Sequence, residues 1–136
     1  MMRTLIMKKN KRKEEDLQIS ICEYLDLQYP NVIYTSDLSG IKLPVGLAVK
    51  ASKQRTKNYK IPDLLILHPN NQYHGLILEL KKSRSALYLK DNVKISNAKH
   101  IRDQLKTLLR LSDIGYKACF SCGFDETKQI IDEYFK

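Results

Sequence analysis

The chain has 136 residues, with 24 Lys and Arg against 15 Asp and Glu, a formal net charge of +9, 43% hydrophobic residues and three cysteines. That is one domain's worth of chain with a core large enough to fold unaided, and its composition excludes both a disordered chain and an apolar run fit to span a membrane. The odd cysteine count excludes a complete disulfide framework, and the charge favours a polyanionic partner, nucleic acid foremost.

Residues 1–13 include Lys8, Lys9, Lys11, Arg12 and Lys13 and read as a basic flexible lead that adds phosphate contacts. The lead lacks the long apolar region and cleavage site of a secretory signal, so a cytoplasmic location is expected. Residues 14–136 read as one domain. Glu14 to Leu27 has Leu17, Ile21, Tyr24 and Leu25 at helical spacing, with Glu14, Glu15 and Asp16 where the helix dipole favours acids, and Pro30 stops it. "NVIYTSDL" predicts a strand. Residues 39–60 are a mixed, basic stretch read as a loop with a short helix near Leu47–Ser52.

"DLLILH" and "GLILELK" predict two strands joined by the turn-rich "PNNQYH". After a poorly patterned connection, Ser96 to Ser112 predicts a helix with Ile101, Leu105, Leu108, Leu109 and Leu111 apolar, and Gly115 as its C-cap. "YKACFSC" predicts a strand, and Asp125 is expected to cap a final helix carrying Ile130, Ile131 and Tyr134. The order is α-β-(loop)-β-β-α-β-α, an α/β domain with a mixed sheet of about four strands flanked by helices. Cys119 and Cys122 form a CxxC inside the last strand. A zinc ribbon needs a second such pair and a redox pair needs a helix N-terminus, so both are read as strand cysteines. His68, His74 and His100 have no metal-binding spacing and read as surface residues.

Between Leu38 and Lys90 only two residues are acidic, Asp63 and Glu79, against ten basic ones. If the hairpin is symmetric about Asn71, paired residue numbers sum to 142, and Leu65 faces Ile77 while Asp63 faces Glu79. Opposed residues have Cβ atoms about 4.5–5.5 Å apart, a distance at which like charges repel. A hard divalent cation such as Mg²⁺ or Mn²⁺ removes that repulsion. Lys81 is two residues beyond Glu79 and so on the same face. Two carboxylates that hold a metal beside a lysine, in a basic field, point to phosphodiester hydrolysis.

The pattern Pro62-Asp63, fifteen residues, then Glu79-Leu80-Lys81 resembles the PD-(D/E)XK nuclease motif. "EEDLQ" at 14–18 and "DQLKTLLRLSDIGYKA" at 103–118 resemble the opening and post-core segments of VRR-Nuc (virus-type replication–repair nuclease) domains, whose small phage-encoded stand-alone members have this size. The resemblance runs from about Glu14 to Cys122. It implies a restriction-endonuclease-like α-β-β-β-α-β core and a Mg²⁺- or Mn²⁺-dependent DNA endonuclease that prefers branched or flapped DNA. It also implies Asp63, Glu79, the Leu80 carbonyl and Glu14 as metal ligands, Lys81 as the catalytic lysine and Gln104 as the helical glutamine beside them. Glu15 competes with Glu14 for its place. Lys53, Arg55, Lys57, Lys60, Lys82 and Arg84 are the bases expected on DNA, although the 39–60 insertion aligns with no part of the family. A homodimer would supply two sites for cutting both strands. A non-catalytic binding module on the same fold, and a sequence-preferring restriction-type enzyme, stand as the alternatives.

Overall fold

The computed structural model describes residues 16–37 and 42–136; the basic lead, Glu14 and Glu15 lie outside them. Helix α1 covers residues 16–28 of the described chain, and Leu17, Ile21 and Leu25, four apart, form its buried stripe. Strand β1 (Tyr34–Ser36), helix α2 (Val45–Lys53), strand β2 (Leu64–Ile66) and strand β3 (Leu76–Lys81) follow. Helix α3 (Lys99–Asp113), strand β4 (Lys117–Cys122) and helix α4 (Gly123–Tyr134) complete the chain. The four strands form one sheet in the order β1-β2-β3-β4, antiparallel except for the β3–β4 pair, which α3 connects as a parallel crossover.

The hairpin register is Leu64↔Leu78, Leu65↔Ile77 and Ile66↔Leu76, as symmetry about Asn71 predicts. Pleating sends Leu64, Ile66, Leu76, Leu78 and Leu80 to one face, where they pack with Leu17, Ile21 and Leu25 of α1 and Ile131 and Tyr134 of α4. The Tyr24 and Tyr29 hydroxyls both donate to Asp132 Oδ1 and tie these two helices together. Ile77, Glu79 and Lys81 turn to the opposite face, towards α3.

Several boundaries differ from the sequence reading. β1 keeps three residues of "NVIYTSDL" because its partner β2 is confined between Pro62 and Pro69, and one further bond, from Leu67 N to Ile33 O at 2.8 Å, extends the pair. α3 begins at Lys99, not Ser96: Ser96 N donates to Leu87 O at 2.7 Å and stays in the preceding connection. Leu109 is not in the buried stripe of α3 but 57% exposed, since only Ile101, Thr107 and Leu108 are buried there. Asp125 does not cap α4. Gly123, at φ 81°, turns the chain straight from β4 into the helix, and the Glu126 carboxylate accepts the Cys122 N–H instead.

Gly115, at φ 103°, ends α3 as expected, and a side chain there would collide with the His74 ring, 2.4 Å from the position of a Cβ. Cys119 and Cys122 are free thiols three residues apart on one strand, hence on opposite faces and not a chelating pair. Burial pushes both thiols up in pKa. Among the described residues no helix is long and apolar enough to cross a membrane.

Candidate active site in a basic cleft

Asp63 immediately precedes β2, and the ladder to β3 ends at Leu64↔Leu78. The reason lies in Pro62, which the register places opposite Leu80. A proline has no N–H to close that pair, so the Leu80 carbonyl loses its ladder donor. The Leu80 N–H is taken by a side chain instead, Asp63 Oδ2 at 2.8 Å. Asp63 is thereby drawn over the end of β3, beside Glu79. These two carboxylates and the Leu80 carbonyl are hard oxygen donors at one strand end, a set suited to Mg²⁺ or Mn²⁺. No group of three or more His, Cys, Asp and Glu side chains clusters for a metal among the described residues.

Glu79 is only 6% exposed, as is Lys81, so neither is a solvent-facing strand residue. Burial, then the charge of Asp63, pushes Glu79 well above the usual carboxylate range; Lys81 pulls it down, and Asp37 adds a smaller upward push. A carboxyl group held in that state is a position where a cation would be welcome.

Gln104 comes from the middle of α3 and reaches both groups. Its Oε1 accepts from Lys81 Nζ at 2.8 Å and its Nε2 donates to Glu79 Oε1 at 3.1 Å. Lysine only donates and a carboxylate oxygen accepts, so the amide has one orientation that satisfies both. The Lys81 ammonium also lies over the Phe120 ring, 5.8 Å from its centroid, which fixes its stem between β4 and α3.

Two further residues belong to this site and carry no role in the sequence reading. Gln18 of α1 sends its Nε2 to Ser36 Oγ, to Asp37 O at 3.1 Å and to Asp63 O at 3.2 Å, so one amide joins α1, the end of β1 and the start of β2. Asp37 closes β1, donates its N–H to Asp63 O at 2.8 Å and lines the same cleft. Asp37 lies one residue outside the 38–90 window in which isolated acids stand out. An acid at the end of a strand-like run, as Glu79 also is, is the signal that would have found it.

The cleft has a volume of about 750 Å³ and brings Asp37, Asp63, Glu79 and Gln104 together with Arg55, Lys57, Lys60 and Lys106. The segment after α2 forms its basic wall and is strapped to α3 by Lys106, whose Nζ donates to Asn58 O at 3.2 Å and sits 5.0 Å from the Tyr59 ring centroid. Lys53, in the last turn of α2, is exposed and is not part of the lining. Lys82 and Arg84 lie elsewhere too. Arg84 pairs with Glu126 at 3.4 Å and stacks on Tyr88, with its guanidinium 4.3 Å from the ring centroid. His68 and His74 are at the far end of the hairpin; His68 O accepts from the Tyr134 hydroxyl, and His74 stands edge-on to Tyr116.

The sheet order, the parallel crossover and the acids at the strand ends define a restriction-endonuclease-like α/β fold. Among solved structures, the chain is similar to one described as a VRR_NUC domain protein, with 21% identity, 90% of this chain and 87% of that chain covered, and a TM-score of 0.60. The fold is VRR-Nuc-like. No protein-family model matches the sequence, and no curated protein does.

Proposed function

We propose that the protein is a Mg²⁺- or Mn²⁺-dependent DNA endonuclease that hydrolyses phosphodiester bonds, with selectivity for branched or flapped DNA. The observation that carries this reading is the buried relay Lys81–Gln104–Glu79, whose Glu79 and Gln104 line, with Asp63, a cleft walled by Arg55, Lys57 and Lys60, while Lys81 stands behind Gln104. Asp63, Glu79 and the Leu80 carbonyl would hold the metal, with Glu14 as a further ligand from outside the described residues. When bound, the metal would polarise the scissile phosphate and acidify a water molecule.

The chain's own residues do the rest. Lys81 is held by Gln104 and Phe120 to meet negative charge that develops on the phosphate, and Gln104 fixes its direction. Arg55, Lys57 and Lys60 hold the backbone of the substrate by charge, which orients without reading sequence. The resemblance to a VRR_NUC domain protein supports a nuclease over a purely binding module, and so does the intact set of Asp63, Glu79 and Lys81. Incubation of the pure protein with linear, flapped and four-way DNAs in Mg²⁺, Mn²⁺ or EDTA tests it. Cleavage with either metal that stops in EDTA and in Asp63→Asn is the expected result; metal-independent cleavage, or none with either ion, refutes it.

A further inference from the structure

A second cavity adjoins the cleft and shares two of its residues. It is a groove of about 390 Å³ on the outer side of α3, floored by Tyr59, Leu105 and Leu109 and bordered by Arg102, Lys106 and Arg110, with Asp113 at its end. Tyr59 and Lys106 line both cavities, so the groove lies directly beside the cleft, with these two side chains at the junction. Its floor is apolar and aromatic, and Leu109, on the side of α3 turned away from the sheet, stands 57% exposed there. Three cations border it against one carboxylate, and Arg102 and Arg110 form no ion pair among the described residues.

We propose that this groove binds unpaired nucleotides of the DNA strand that leaves the cleft, with bases on the Tyr59–Leu105–Leu109 floor and phosphates on Arg102, Lys106 and Arg110. An apolar aromatic floor between cations is the surface that single strands use, because every base has a π face and every linkage a charge. A duplex keeps its bases paired and stacked, and gains nothing from the floor. The inference rests on the nuclease reading and deepens it, because it provides a surface that favours substrates with a single-stranded branch.

The test is fluorescence anisotropy in EDTA, where no cleavage occurs, with a blunt duplex and the same duplex carrying a single-stranded oligothymidine tail. The wild-type chain is expected to bind the tailed DNA more tightly. Leu109→Ser/Arg110→Gln is expected to weaken tailed binding by about fivefold or more, the scale of one lost apolar contact beside one lost phosphate charge, and to leave the blunt duplex unchanged. Arg102→Gln/Arg110→Gln, which leaves all apolar packing intact, should act in the same direction and guards against misfolding of the first variant. No tail preference in the wild type, or equal losses on both DNAs, overturns the groove and leaves the nuclease reading standing. Failure of the wild type to bind either DNA overturns the groove, while the nuclease reading stands or falls on cleavage with Mg²⁺ or Mn²⁺.

Discussion

Gln104 stands between Lys81 and Glu79, accepting from the first at 2.8 Å and donating to the second at 3.1 Å, so one amide from α3 orients two buried groups of opposite charge type on β3. Its replacement by Ala leaves both without that partner. Loss of positioning by a neighbour of this kind typically lowers activity by about tenfold to a hundredfold. The unsatisfied groups should also cost about 1–3 kcal/mol of stability. Gln104→Ala is therefore expected to cut turnover while the Kd for DNA stays near wild type. Unchanged turnover would show that Lys81 needs no guide.

Asp63 has two jobs that one substitution separates. Its Oδ2 accepts the Leu80 N–H at 2.8 Å, and its charge raises the pKa of Glu79. Asp63→Asn keeps an acceptor oxygen and removes the charge. It is expected to abolish cleavage while melting, in EDTA, at or above the wild-type temperature. Asp63→Ala orphans the Leu80 N–H as well and should melt lower, by about 1–3 kcal/mol in stability. Equal melting of the two variants would contradict the cap.

Glu79 is expected to make the metal-free protein pH-sensitive. Its folded pKa lies above its unfolded value, so between the two the folded state binds more protons. Stability from this group is then fully present below the ordinary glutamate range and is lost as pH rises through the raised folded value. Melts in EDTA from pH 4.5 upward are expected to show a decline that Glu79→Gln flattens. A decline of the same size in the variant would assign it to other groups.

Gln18 fixes the backbone on which Asp63 rides. Gln18→Ala removes donors to Asp37 O and Asp63 O, and each lost hydrogen bond is worth about 0.5–1.5 kcal/mol. A lower melting temperature and weaker Mn²⁺ binding by calorimetry are expected together. Weakened folding with unaltered Mn²⁺ affinity would make Gln18 structural alone.

Bases differ in their expected weight by where they lie. Arg55, Lys57 and Lys60 line the cleft, whereas Arg84 is engaged by Glu126 and Tyr88. Each phosphate neutralised on duplex DNA adds a slope of about −0.9 to the dependence of log affinity on log salt. Neutralising the three cleft bases should flatten the slope by several such steps, and Lys82→Gln/Arg84→Gln by fewer. The reverse order, measured by binding titrations across a salt series, would move the DNA path to the other side of the molecule.

Much of this was legible along the chain because it depends on local periodicity. The turn around Asn71 and the alternation in "LLI" and "LILELK" dictate the hairpin register, and a register of period two brings Asp63 and Glu79 to one end without knowledge of any other element. Other features required the folded chain. That Glu79 and Lys81 are buried follows from α3 covering β3, a contact between residues some 25 positions apart that no local pattern encodes. The exposure of Leu109 has the same origin, since a helix laid on a sheet buries only the side that meets it. Gln18 and Asp37 join Asp63 only because α1 and β1 are folded against the start of β2, and an amide's partners are set by that packing. Periodicity specifies which face a side chain takes; what it meets there is decided by the arrival of distant segments.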